Sequence, residues 1–280
     1  MDKKEFKNFF EPYAKNVDNA NSLCFWKLSD DIITKIICKN IPKNISKKSI
    51  ILDAGGGTGR WICNLSKIFP SNFILYDLSD DMLKRANVNI SKAKIGNRVK
   101  IVKGDLTDMS SIETNSIDYI ISIYSPVSFI YKKEMAAKEM HRVLKKGGKI
   151  MIMGHGYFNA LYSKINNYIA SPKEIEKVEK TFFVKWGEAV PKLNTFSKES
   201  IEKLLTDAGF NVSATYGIPI FVQPGPEDFY SENNKISRIS SALKNANFYK
   251  TVLNLEMKYN SKPSVVNRGM NMLSVGFKKS

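Results

Sequence analysis

Short apolar runs alternate with amphipathic stretches through the middle of the chain. Ser49-Ile50-Ile51-Leu52-Asp53 is an apolar run that ends at glycines, which predicts a buried strand. Arg60 to Phe69 follows with Ile62, Leu65 and Phe69 at helical spacing. Asn72 to Leu78 predicts a second strand. Ser79 is placed to cap a helix running to about Lys94, with Asp80 and Asp81 at the positive end of its dipole. Val99 to Lys103 and Asp118 to Tyr124 predict the third and fourth strands, the latter apolar enough to be buried on both faces. Lys132 to Leu144 carries Ala136, Met140, Val143 and Leu144 on one helical face, and Gly147-Gly148 is expected to stop it. Lys149 to Met153 predicts a fifth strand. Strands alternating with helices imply an α/β fold, a parallel sheet covered on both faces.

After residue 156 the rhythm breaks. Residues 157–196 read as inserted helical material that restarts at Ser171-Pro172. Ser197 caps a helix with Ile201, Leu204, Leu205 and Ala208 on one face and Gly209 at its end. Phe210 to Tyr216 predicts a sixth strand, residues 221–268 read as polar helices, and Asn271 to Lys278 predicts the final strand. Residues 1–44, with Phe6, Phe9, Phe10, Tyr13, Phe25 and Trp26, read as an amphipathic helical cap. One domain over 1–280 is expected: a core at 45–156 completed by 197–220 and 269–280, with inserts at 157–196 and 221–268.

Composition narrows the class. At 280 residues, 43% hydrophobic and 25% charged, the chain is globular and long enough for a core without staples. No apolar run reaches the ~18–20 residues of a membrane helix, and Met1-Asp2-Lys3-Lys4-Glu5 lacks a signal peptide's apolar stretch. Three cysteines without a CxxC pair (Cys24, Cys38, Cys63) argue against a disulfide framework or zinc cluster and for a reducing cytoplasm. The net charge of +16 invites a polyanionic partner. Only six of the 43 basic residues are arginines, however, and the excess is dispersed along the chain: +4 in 1–50, +6 in 51–156, +1 in 157–220 and +5 in 221–280. Nucleic acid is therefore a possible partner and not the favoured one.

The strongest local signal is Asp53-Ala54-Gly55-Gly56-Gly57-Thr58-Gly59, between a strand and a helix. A dinucleotide fingerprint from Gly55 and Gly57 needs glycine or alanine at position 60, which is Arg60, and no Walker lysine follows. With Tyr76-Asp77-Leu78-Ser79, Met82, Gly104-Asp105-Leu106, Asp118, the run His141 to Gly148 and Leu205 to Phe210, the chain resembles the class I S-adenosylmethionine-dependent methyltransferases. The resemblance covers roughly 45–156, 195–220 and the last strand. It implies a Rossmann-like doubly wound sheet of about seven strands, mostly parallel with the last strand antiparallel, and S-adenosylmethionine as cofactor, released as S-adenosylhomocysteine. It gives Asp77 the ribose hydroxyls and Asp105 the adenine amino group. Leu106 is given a main-chain contact, and Leu78 and Met82 packing on the base. The Gly55, Gly57 and Gly59 backbone lies along the methionine portion. Asp53 orders the loop or meets the ammonium through water, and Ser122 and Tyr124 edge the reacting methyl.

The acceptor is less legible. Between Ser122 and Val127 stands neither the Asp/Asn-Pro-Pro-aromatic motif of exocyclic base-nitrogen methylation nor a Pro-Cys pair, and no metal-ligand spacing occurs. His155, directly after the fifth strand, suits a general base, or is a turn histidine between Gly154 and Gly156. Tyr124 and Tyr157 are further candidates. Trp186, Phe182, Phe183 and Tyr162 either wall an acceptor pocket or bury the insert. The expected activity is methyl transfer to oxygen or nitrogen of a small metabolite or short peptide. The alternatives are an RNA or protein methyltransferase docked by its lysines, and a silent binding protein that keeps the fold.

Overall fold

A computed structural model describes residues 9–10, 23–188, 190–228 and 236–279. The elements are α1 (Cys24–Asn40), β1 (Ile50–Ala54), α2 (Arg60–Leu65), β2 (Asn72–Asp77), α3 (Asp80–Lys92), β3 (Val99–Lys103), β4 (Ile117–Ser122), α4 (Lys133–Val143), β5 (Leu144–Gly156), α5 (Tyr157–Asn166), α6 (Pro172–Thr181), β6 (Phe183–Val184), β7 (Leu193–Phe196), α7 (Lys198–Asp207), β8 (Asn211–Ile218), α8 (Ala246–Tyr259) and β9 (Asn271–Phe277). Short helical segments lie at Pro126–Phe129 and Arg238–Ala242. No helix among the described residues is long and apolar enough to cross a membrane.

The main sheet runs β3-β2-β1-β4-β5-β9-β8. The first five strands are parallel, and β9 lies between β5 and β8, antiparallel to both. This is the expected Rossmann-like arrangement with an antiparallel last strand. The order reverses beside β1, so the ends of β1 and β4 open a crevice where ligands of such sheets bind. Ser79 caps α3 by accepting from the Met82 backbone N–H, and Ser197 and Ser200 form a capping box on α7.

Two expectations are corrected. Gly147-Gly148 does not end a helix: α4 stops at Val143, and β5 begins at Leu144 and continues to Gly156. The glycines stay within the strand because the end of the chain pairs with them, Gly147 N–H donating to Lys278 O at 2.8 Å and Lys278 N–H to Gly148 O at 3.0 Å. Residues 157–196 are not wholly helical. After α5 and α6, β6 and β7 form a hairpin that adds β7 to the upper end of β5, in register His155 with Thr195.

The described part of the N-terminal segment is the amphipathic helix α1, as expected. Phe25, Leu28, Ile32, Ile33, Ile36 and Ile37 of α1 are completely buried and belong to the largest core cluster. Their i, i+3, i+4, i+7 spacing makes one broad apolar stripe, and it covers one face of the sheet next to α8. Phe6 and Tyr13 lie outside the described residues. Ile36→Ala should therefore lower the unfolding free energy in urea by about 2–5 kcal/mol, the cost of a core cavity. A loss below about 1 kcal/mol would show that the α1 stripe contributes little to the core.

Candidate active site

The carboxyl ends of β1, β2 and β4 open into one cavity of about 1110 Å³. Its floor is the turn between β1 and α2. Gly55 has φ +78°, and a side chain there would meet Pro126 Cβ at 2.6 Å. Gly57 has φ +53° and borders open space, where the nearest atom a Cβ would meet is Met82 Sδ at 3.7 Å. A bare, left-handed backbone thus leaves room for a ligand to lie along the turn.

Three carboxylates stand at this edge. Asp77, at the end of β2, is almost fully buried. Its two oxygens accept from Gly57 N–H and Ser79 N–H, each at 2.9 Å. Burial raises its pKa, and those backbone bonds oppose the rise. Asp105 follows β3, and its Oδ1 accepts from the Thr107 backbone and hydroxyl at 2.9 and 2.8 Å. Asp53, in β1, is buried with its Oδ2 lacking any hydrogen-bond partner among the described residues. Burial first, and the neighbouring Asp77 second, push its pKa up to about 7.

The opposite lobe is aromatic. Trp26 of α1, Trp61 of α2, Tyr124 and Phe129 after β4, and Trp186 line it. Phe9 and Phe10 reach it too, packing on Phe129 with ring centroids 6.0 and 5.0 Å away. Tyr124 adopts φ +60° and donates its hydroxyl proton to Asp30, which also pairs with Arg60. His155, at the end of β5, donates its backbone N–H to Ser128 Oγ at 2.9 Å. Its ring is bonded to Asn271 and stands edge-on to Trp186, centroids 5.4 Å apart at 84°. Burial holds its pKa down at about 4 against the Asn271 bond, so the ring is neutral at pH 7. Its Nε2 has no partner among the described residues. Of the five buried polar side-chain atoms without a partner among the described residues, three belong to residues that line this cavity: Asp53 Oδ2, Trp61 Nε1 and His155 Nε2. Such atoms are costly unless something satisfies them.

The cavity gathers Asp53, Gly55, Gly57, Asp77, Leu78, Met82, Asp105, Leu106, Tyr124 and His155. It does not include Gly59 or Ser122. Gly59 begins α2 behind the turn, facing Leu75 and Ala86. Ser122 is completely buried and donates to Ala54 O at 2.8 Å, tying β4 to β1. Tyr124 is corrected as a catalytic base: desolvation and the Asp30 charge raise its pKa well above 10, so it keeps its proton. Trp186 alone of the four insert aromatics lines the cavity. Phe182 stacks on Tyr157, Phe183 meets Tyr131, and Tyr162 is half exposed. Tyr157 is outside it and directs its hydroxyl to Glu179 O. Asp30, Trp61, Asn159, Gln223 and Asn271 carried no sequence signal, since only the fold brings them here.

Residues 51–148 match the methyltransferase-domain family. The match spans the glycine turn and all three carboxylates. Residues 51–148 thus carry a methyltransferase domain, in keeping with the resemblance to the class I S-adenosylmethionine-dependent methyltransferases. It is 25% identical over 190 residues to a sterol 24-C-methyltransferase of Pneumocystis carinii, covering 68% of this chain and 47% of that protein. It is 31% identical over 149 residues to a demethylmenaquinone methyltransferase of Staphylococcus carnosus, covering 52% and 58%. The chain thus spans about half the length of these two relatives. In fold it is similar to a putative methyltransferase solved with the Haloferax volcanii Trm112 methyltransferase activator, at TM-score 0.59 and 14% identity over 97% of this chain and 98% of that one.

The site fits the family's methyl donor. A buried, unpartnered carboxylate oxygen beside a side-chain-free turn suits the ammonium of its methionine portion, and Asp77 and Asp105 suit its hydroxyl and amino donors. Two outcomes are expected in calorimetry with S-adenosylhomocysteine. Asp77→Ala should weaken binding by ~1–3 kcal/mol through loss of charge-assisted bonds; unchanged affinity would take Asp77 out of the site. An ammonium favours ionised Asp53, so wild-type affinity should fall as pH drops from 7.5 to 5.5, approaching about tenfold per unit below pH 7. Asp53→Asn should flatten that dependence, and an equally steep profile in the variant would assign the titration elsewhere.

Proposed function

We propose that this protein transfers a methyl group from S-adenosylmethionine to an oxygen or nitrogen of a small molecule enclosed in the cavity. The observation that carries the reading is that Asp53 and His155, each with a buried and unpartnered atom (Oδ2 and Nε2), line one cavity, at the cofactor end and the aromatic end respectively. A cavity of about 1110 Å³ is large enough for a cofactor and a modest acceptor together. The curated relatives named above, sterol and demethylmenaquinone methyltransferases, support a small-molecule acceptor.

The bound cofactor supplies a methyl already activated on a positively charged sulfur. The protein's part is to align the acceptor and remove its proton. Asp77, Asp105, Leu78 and Met82 hold the adenosine portion, and the Gly55–Gly57 turn with Asp53 holds the amino-acid portion. His155 would accept the acceptor's proton on Nε2. The Asn271 bond fixes the ring's orientation. Burial keeps the imidazole neutral, with the Trp186 ring edge-on beside it.

Incubation with S-adenosylmethionine and a low-molecular-weight metabolite extract should release S-adenosylhomocysteine. Release only with RNA or protein fractions would overturn the small-molecule reading. With the extract, His155→Ala should slow turnover by ~10²-fold or more while S-adenosylhomocysteine binds as before. A near wild-type rate would reduce His155 to a turn residue.

A further inference from the structure

The acidic end of the cavity has to receive more than a cation. An amino-acid end carries a carboxylate on the same carbon as its ammonium, so whatever brings the ammonium to Asp53 brings the carboxylate with it. Asp53, Asp77 and Asp105 line that end, and a further anion set among them without a partner is strongly unfavourable. A cation is needed close by. Two basic side chains line the cavity among the described residues, Arg60 and Lys132, and Lys132 is exposed to solvent. Arg60 directly follows the bare turn as the first residue of α2, and 19% of its side chain stays exposed. Its charge lowers the pKa of Asp53 against the larger effect of burial, so the guanidinium lies within electrostatic reach of that carboxylate.

The guanidinium is also fixed in a way that suits a carboxylate. It lies 5.0 Å from the Tyr124 ring centroid and 5.4 Å from that of Trp61, packed against both rings. A guanidinium has five N–H donors, all in its plane. Asp30 of α1 accepts from Nη1, and Tyr124 is the other side-chain hydrogen-bond partner. Two partners do not exhaust five donors. No Arg60 nitrogen is among the buried polar atoms left without a partner among the described residues, so the donors not engaged by Asp30 and Tyr124 are accessible and not sealed in the core. A held, planar fork with free in-plane N–H groups matches the two oxygens of a carboxylate.

We propose that Arg60, steadied by Asp30 and Tyr124, binds the carboxylate of the cofactor's amino-acid end while Asp53 binds its ammonium. The inference rests on the cofactor reading above and adds a residue that the glycine turn and the three acids do not supply. It also gives α1 a part in cofactor recognition, because Asp30 comes from that helix. The site then selects a complete amino-acid end over an adenosyl thioether that lacks the carboxylate.

The test is calorimetry on the full chain with two ligands, S-adenosylhomocysteine and its decarboxylated analogue S-adenosyl-3-thiopropylamine, which differ only in the carboxylate. The wild type should bind S-adenosylhomocysteine at least about tenfold more tightly than the analogue, the size of one charge-assisted contact. Arg60→Met keeps an unbranched stem against the two rings and removes the charge, and it should bring the two affinities within about threefold of each other. Any effect of the substitution on Asp53 or on the fold weakens both ligands alike and cancels in the ratio. A variant in which the tenfold preference persists would overturn the proposal and leave Arg60 as a pin for α1. Equal binding of the two ligands by the wild type would overturn it as well. Because Arg60→Met leaves Asp30 without its counterion, Arg60→Met combined with Asp30→Asn is measured beside it. The preference should be lost there too, and its return would overturn the proposal. Failure of S-adenosylhomocysteine to bind the wild type at all would instead remove the underlying cofactor reading.

Discussion

Asp53, Asp77 and Asp105 stand at neighbouring tips of one parallel sheet, where like charges repel and burial strips their water. Backbone N–H groups answer part of that cost: Gly57 and Ser79 bond Asp77, and Thr107 bonds Asp105. Asp53 is left with an oxygen that nothing in the described protein satisfies. The rest of the cofactor end depends on this constraint. The turn must carry no side chains so that a cation-bearing ligand can reach that oxygen, and the raised pKa of Asp53 couples ligand binding to proton release near neutrality. In the ligand-free fold the same shift lowers stability as pH rises from about 4 to 7, since the folded chain holds a proton that the unfolded chain has lost.

The aromatic end solves the opposite problem. Arg60, on its wall, is paired with Asp30 before any acceptor arrives. His155 is kept neutral by burial and oriented by Asn271, its register partner across β5 and β9. One lobe therefore holds anionic groups for a cationic cofactor, and the other holds dipoles and rings. The boundary between them is where a methyl would be handed over.

Much of this was readable from local pattern. The glycine turn, Asp77 and Asp105 lie within short stretches whose spacing survives because backbone geometry at a strand end tolerates few residues. The caps at Ser79 and Ser197 were equally local. Other features misled because local pattern was outweighed at a distance. Gly147-Gly148 looks like a helix stop, yet the end of the chain pairs with it and keeps it in the sheet. Ser122 looks like a site residue at a strand exit, but its hydroxyl faces Ala54. Tyr124 looks like a base until Asp30, 94 residues earlier, accepts a hydrogen bond from its hydroxyl.

The sequence by itself determined the alternation of strands and helices, the bare turn and the acids flanking it. Those depend on backbone conformation and on residues a few positions apart. Tertiary structure alone decided which polar atoms go unsatisfied and which cations are neutralised. Asp30 reaches Arg60, Asn271 reaches His155 and the Trp61 indole is buried without a partner among the described residues only once the chain is packed. Burial and pairing are properties of the packed chain, so the character of the site is written in contacts between distant segments.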